Sequence, residues 1–353
     1  MSILKKCLIS SAIAALSGIS LYAVYVYASY RRLPKKMRLS PRVRSSVAIP
    51  ANTPLRLATW NTGYGAYSQD YSFFMDGGRE SRARSAQDVC ANLAGIVQTL
   101  KDEKIDIALL QEVDIDGDRS RHVNEWEYYS KAFPNFDGVF AMNYDSPYLF
   151  WPPFDPIGKA KSGIALLSRY RIGASRRESL PISNGLKKIV DLDRCYSVSE
   201  FDVSNGRKLS IYHVHFTAYG GGHDIAHAQI DRLFSDIRQR LREGHDILCA
   251  GDFNHDLPKD SVKRFNGDVS AFGWCQPFID ANMPDELIYV SPENPEIPTS
   301  RLLDKPYDKA ASFVATIDGF LASKSIHIVR CRHVDAEFKN TDHNPVVIEI
   351  EFL

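Results

Sequence analysis

From Leu55 onward, short apolar runs alternate with polar turn residues at strand rather than helix length. Runs over 55–61, 105–110, 163–168, 208–216, 247–250, 313–321, 326–329 and 345–352 predict β-strands. Two stretches, 83–101 and 223–242, carry the apolar spacing of helices. In the second, Ile225, Ile230, Leu233, Phe234, Ile237 and Leu241 share roughly one face. Many strands with interspersed helices predict one layered α/β domain over 55–353, without internal repeat or second boundary.

Ahead of that domain the pattern changes. Residues 7–30 form a charge-free run between Lys6 and Arg31. As a helix at about 1.5 Å per residue the run reaches roughly 36 Å, enough for a hydrocarbon core of about 30 Å. Tyr22, Tyr25, Tyr27 and Tyr30 crowd its downstream end, where amphipathic rings favour the headgroup region. A cleaved secretory signal ending at Val26-Tyr27-Ala28 is the alternative, but the apolar run exceeds the usual 7–15 residues. The expected organisation is therefore a membrane anchor over 1–30, a basic, proline-containing linker over 31–54 and a catalytic domain over 55–353.

Composition agrees with a packed interior: 44% of the 353 residues are hydrophobic and 11% aromatic. Six cysteines without CxxC spacing exclude a disulfide scaffold, and most of the five outside the apolar run read as small core residues. The formal charge of zero is a cancellation. Residues 1–50 hold nine basic side chains and no acidic one, so 51–353 keep 34 basic against 43 acidic, a formal −9. The basic segment 31–44 is expected to lie on anionic lipid, and the basic excess downstream of the span leans towards a cytoplasmic catalytic domain.

Candidate chemistry sits where the apolar runs end. Asn61, Gln111-Glu112, His215, Asp252-Phe253-Asn254, Asp318 and Asp342-His343 each interrupt or flank a strand-like run. One such residue is an ordinary turn or cap. Six cases, all acidic, amide or imidazole, build an oxygen-rich cleft if the strands lie side by side. Such oxygens suit Mg²⁺, with Mn²⁺ or Ca²⁺ as alternatives, and a carboxylate-paired histidine suits phosphoryl chemistry. His223 and His227 read as an exposed helix face rather than a zinc site, and Gly220-Gly221-Gly222 as a turn.

The ordered set Trp60-Asn61, Gln111-Glu112, His215, Gly251-Asp252-Phe253-Asn254, Ile317-Asp318 and Thr341-Asp342-His343 resembles the endonuclease/exonuclease/phosphatase superfamily, over about 55–353. The resemblance implies a DNase I-like four-layered sandwich: two mixed β-sheets face to face, helices outside, the site at one edge. It also implies divalent-metal-dependent hydrolysis of phosphate esters. In that scheme Glu112 is the principal metal ligand, with Asn61 and Asp342 completing the surroundings. Asp252 orients or deprotonates the attacking water, and Asn254 holds the water or a phosphate oxygen. His343, paired with Asp318, takes a proton or stabilises the transition state, and His215 can protonate the leaving oxygen.

His215 is similar to the DNase I and neutral sphingomyelinase branches. Thr316-Ile317-Asp318-Gly319-Phe320 departs from the inositol phosphatase motif, and Asn61-Thr62-Gly63 from that of abasic-site nucleases. The anchor and two aromatic segments, 148–154 and 71–75, favour a lipid or other membrane-proximal phosphodiester, without need of an obligate protein partner. The alternative is a nuclease drawing on Arg79, Arg82 and Arg84 or on Lys159 and Lys161. A third is an inactive binding module, disfavoured because every expected polar position is suitably filled.

Overall fold

The computed structural model describes residues 2–29, 32–183, 192–217, 222–267 and 275–353. The amino-terminal run forms α1 (Ile3–Ser29), in which no residue is buried against the protein and which is long and apolar enough to cross a membrane. The chain then runs through β1 (Lys36–Leu39), β2 (Leu55–Asn61), α2 (Ala86–Asp102), β3 (Ile107–Gly117), α3 (Glu125–Ala132), β4 (Asp137–Asp145) and β5 (Ala160–Ser168). Next come β6 (Ser175–Ser179), β7 (Cys195–Asp202), β8 (Lys208–His215), α4 (Gly222–Arg242), β9 (Asp246–Asp252) and α5 (Ser261–Asn266). It closes with β10 (Leu287–Tyr289), β11 (Ser300–Arg301), β12 (Val314–Ala315), β13 (Asp318–Ser323), β14 (His327–His333) and β15 (Val346–Glu351).

Two mixed sheets result. One has seven strands in the order β1-β6-β7-β8-β9-β13-β10, the other six in the order β14-β15-β2-β3-β5-β4. Two-residue periodicity explains the sandwich. In β2, Leu55 and Leu57 point into the space between the sheets, while Ala58 and Trp60 point outward against α2. Leu209, Ile211, Leu248 and Phe320 fill the same inter-sheet layer from the seven-stranded side. On that sheet's outer face, Tyr212, Val214 and Cys249 meet Ile230, Leu233, Phe234 and Ile237 of α4, as the helical spacing predicted. Four layers follow, as the resemblance implied.

The linker expectation fails in one respect. Between 36 and 49 the chain is folded onto the domain: β1 pairs antiparallel with β6, Arg42 bridges to Gly138, and Ile49 is fully buried. Three basic side chains of 31–44 meet domain carboxylates: Arg32 with Asp193, Lys36 with Glu178, Arg42 with Glu127. The physical reason is the charge asymmetry itself, since an acidic domain attracts the arm attached to it. The aromatic segment 71–75 is also partly corrected: Tyr71 is buried and Phe73 half-buried in the outer core, leaving Met75 exposed.

Candidate active site

Register alone brings the polar strand ends to one level. Parallel β2 and β3 place Asn61 opposite Gln111, parallel β8 and β9 place His215 opposite Asp252, and antiparallel β13 sets Asp318 opposite Asp252 from the other side. The loop entering β15 adds Thr341, Asp342 and His343, fixed where the Trp60 indole N–H donates to the His343 carbonyl at 2.9 Å. A bulge between Leu110 and Val113, with Glu112 at φ +56°, takes that carboxylate out of strand alternation. Asn254 is likewise left-handed, at φ +49°. Such backbone costs on the order of 1–3 kcal/mol at a non-glycine residue and persists where surrounding structure overrides it. Gly251 has no alternative: a Cβ there would lie 1.9 Å from the Val214 carbonyl oxygen.

All eight expected residues therefore converge. Asp252 accepts from the Asn61 amide at 3.0 Å and from the Asn254 backbone N–H at 2.8 Å. His215 Nε2 lies 3.6 Å from Asp252 and 3.7 Å from Glu112. His343 Nδ1 sits 2.7 Å from Asp318 Oδ2, leaving its Nε2 4.0 Å from both Asp252 and Asp342. Asn254 donates its amide to the Phe216 carbonyl at 2.9 Å. The neighbouring Gln111 and His213 are core partners of each other, 2.6 Å apart.

The electrostatics divide the roles. Burial, reinforced by Asp342, pushes Glu112 up to about 8, and burial with Asp318 pushes Asp252 up to about 7. Burial pulls on His343 in the opposite sense, but Asp318, Asp342 and Asp252 outweigh it and raise it to about 10, so it is an imidazolium at neutral pH. His215 is the reverse: burial, then Arg194 and His343, push it well below its ordinary value. In its neutral form His215 offers a hydrogen bond to a phosphate oxygen.

Carboxylates crowded closely enough to hold on to protons fit a hard divalent cation, which relieves their repulsion. Asp252, Asp318 and His343 each present a ligand atom within 4.8 Å of the others. That trio differs from Asn61, Glu112 and Asp342, the set implied for the metal. The side chains of Glu112 and Asp342 are 17% and 12% exposed, against 2% and 0% for Asp252 and Asp318, so the cleft opens on the Glu112 side. Asp318 Oδ1 is buried with no hydrogen-bond partner among the described residues. Glu112, Asp252 and His343 all keep protons in the folded chain that the unfolded chain releases at lower pH. Their stabilisation is complete below the unfolded values and lost as pH rises through the folded ones. The melting temperature of metal-free protein should therefore fall by several degrees between pH 5 and pH 8 (about 2–4 °C per kcal/mol). Divalent cation should restore more at pH 8 than at pH 6; a pH-independent increment in calorimetry would contradict the assignment.

The family model described as the Endonuclease/Exonuclease/phosphatase family matches residues 58–343. The chain belongs to this family. Its members are metal-dependent hydrolases of phosphate esters. Among solved structures, an endonuclease/exonuclease/phosphatase from Beutenbergia cavernae superposes with TM-score 0.58 at 15% identity, covering 85% of this chain and 72% of that one. A Danio rerio TDP2 complexed with single-strand DNA product gives 0.52 at 13%, covering 85% and 100%. ANGEL2, described as a 2′,3′-cyclic phosphatase, gives 0.54 at 13%, covering 89% and 98%. These likenesses establish the shared fold. No curated protein matches the chain by sequence.

Three residues near the convergent cluster escape sequence reading. Tyr64 is buried beside Glu112 at φ +53°, with the Arg119 guanidinium 3.2 Å from its ring centroid. Arg119 is held by Asp114 at 2.9 and 3.1 Å. Arg194 is 8% exposed, immediately before β7, and its Nε and Nη1 have no hydrogen-bond partner among the described residues. A lone arginine abutting the apolar start of a strand was the available signal for it. His223 and Gly220-Gly221-Gly222 carry side-chain or backbone positions outside the described residues.

Proposed function

We propose that the chain is a membrane-anchored, Mg²⁺-dependent phosphodiesterase acting on a lipid headgroup or another membrane-proximal ester. The observation that carries the reading is the opposed pair Asp252 and His343: a carboxylate poised near neutrality, facing an imidazolium 4.0 Å away. Asp252, oriented by Asn61 and the Asn254 N–H, accepts a proton from the attacking water. His343, held by Asp318, gives positive charge and an N–H to the equatorial oxygens as they gain charge. His215 donates a neutral hydrogen bond, and Arg194, whose Nε and Nη1 have no hydrogen-bond partner among the described residues, supplies positive charge for a phosphate oxygen. Glu112 and Asp342, with Asn61, would hold the divalent ion, which when bound screens the phosphate and stabilises the leaving oxyanion.

The position of α1 favours an ester at a membrane over nucleic acid. Duplex binding draws affinity from free cationic side chains. Here Arg82 is paired with Asp155, Arg84 with Asp70 and Glu80, and Lys161 lies 4.0 Å from Asp145. The discriminating experiment is a Mg²⁺-dependent panel on the full-length protein: plasmid DNA, an abasic duplex, sphingomyelin, phosphatidylinositol phosphates and a soluble aryl diester. Lipid turnover should dominate, and Arg194→Ala should raise KM for the preferred ester by about tenfold or more, as expected for one charge-assisted phosphate contact. Nuclease activity alone, or an unchanged KM in that variant, would overturn the respective assignment.

A further inference from the structure

The connection between β4 and β5, residues 146–159, stands on the rim that carries the site, because β5 starts opposite Gly117, five residues beyond Glu112 on β3. It is built as a firm loop. Leu149 and Gly158 exchange backbone hydrogen bonds of 3.0 and 3.1 Å, and the Ile157 N–H donates to the Trp151 carbonyl at 3.0 Å. Ser81 and Arg82 tie Asp155 to the body of the domain. Yet its tip is apolar and bare: Phe150 is 59% exposed, Trp151 64% and Phe154 102%. Three large apolar side chains held out together on an ordered loop mark an interaction surface.

A second observation says what covers it. The Tyr22 hydroxyl of α1 accepts from the Phe150 N–H at 3.0 Å and donates to the Tyr148 carbonyl at 3.0 Å, while the Tyr25 hydroxyl accepts from the Tyr148 N–H at 3.0 Å. The loop backbone is thus level with Tyr22, which precedes the helix end at Ser29 by seven residues, about 10 Å along the axis. The domain is also tethered short: Arg32 and the Leu33 N–H already bind Asp193, three to four residues past Ser29, a reach of at most about 14 Å.

We infer that the loop Tyr148–Phe154 is a bilayer-docking element that enters the interface beside α1 and holds the cleft against the membrane surface. The inference rests on α1 as a membrane span and deepens the proposed function by giving the site a lipid-facing rim. The depth follows from the geometry. If α1 crosses the bilayer, a loop bonded two turns inside its end lies at the roughly 5–10 Å that amphipathic interfacial elements reach. Tyrosine, tryptophan and phenylalanine are the side chains this zone accepts, a polar handle or ring edge towards headgroups and an apolar body towards acyl chains.

The test is depth-dependent quenching in full-length protein reconstituted into phosphatidylcholine vesicles, with and without bromine at the 6,7 positions of one acyl chain. The chain has four tryptophans. Wild type should lose up to about a quarter of its emission in brominated vesicles, and Trp151→Phe should lack that component. Phe154→Asp should leave the protein in the vesicle fraction through α1 but reduce quenching of Trp151 at least twofold. Equal quenching of wild type and Trp151→Phe would overturn the inference and mean that water, a second copy or another protein covers the loop. Hydrolysis of the soluble aryl diester by the same samples is read in parallel. Turnover without quenching defeats the docking inference alone, and quenching without turnover defeats the proposed function alone.

Discussion

Glu112→Gln should lower metal-dependent hydrolysis by about 10³-fold or more while raising the melting temperature of the metal-free protein at pH 8. The substitution keeps the volume of the side chain and removes its charge. Loss of activity follows because the open, bulge-presented carboxylate is the group on the solvent side of the cleft that can hold the cation. Gain in stability follows because Glu112 is held near 8 by burial and by the Asp342 charge, so its ionised form works against folding at that pH. The two effects together are the signature of a site that trades stability for function. Activity assays beside thermal denaturation check it: wild-type turnover in the variant, or a lower melting temperature, would remove Glu112 from the metal site.

Asp318→Asn is the second large expected effect, a fall in kcat of about 10²–10⁴-fold. Asp318 Oδ2 lies 2.7 Å from His343 Nδ1 and is the foremost group opposing the burial that pulls the imidazole down. With an amide in its place, burial prevails and the imidazolium becomes neutral at ordinary pH. In the wild type, activity should climb through neutrality as Asp252 loses its proton and persist towards the alkaline range in which His343 keeps its own. In Asp318→Asn the alkaline limb should move to lower pH. His343→Gln should cost a similar factor, and the double variant little more, since the two groups act as one unit. Additive losses, or an unmoved alkaline limb, would show that Asp318 acts elsewhere.

Much of this site was legible in the sequence because its residues stand at strand ends. A polar side chain that stops an apolar run is visible without coordinates, and Asn61, Glu112, His215, Asp252, Asn254, Asp318, Asp342 and His343 all announce themselves so. What hid Arg194 and Arg119 is that each is singular: neither belongs to a motif, and each gains meaning from a carboxylate, ring or empty space supplied by a distant segment. The unforeseen strands have the same cause. Ser-Arg-Arg-Glu-Ser in β6 has no apolar alternation, yet Arg177 is fully buried because its guanidinium reaches the Met142, Pro34 and Asp193 carbonyls. β1, hidden in a basic stretch, is a strand only because β6 offers it an open edge.

Local pattern by itself determined the apolar helix, the strand-and-helix alternation, the acidic domain behind a basic arm and the polar residues at the strand ends. Each of these depends on neighbours in the chain, through periodicity, residue type or charge count. Only tertiary structure decided that His343 is driven towards its cationic form and His215 towards its neutral one, that Arg32, Lys36 and Arg42 of the basic arm pair with domain carboxylates, and that the aromatic loop meets α1 at Tyr22. Protonation and exposure are set by desolvation and by charges a few ångströms away, and those neighbours come from strands up to hundreds of residues apart.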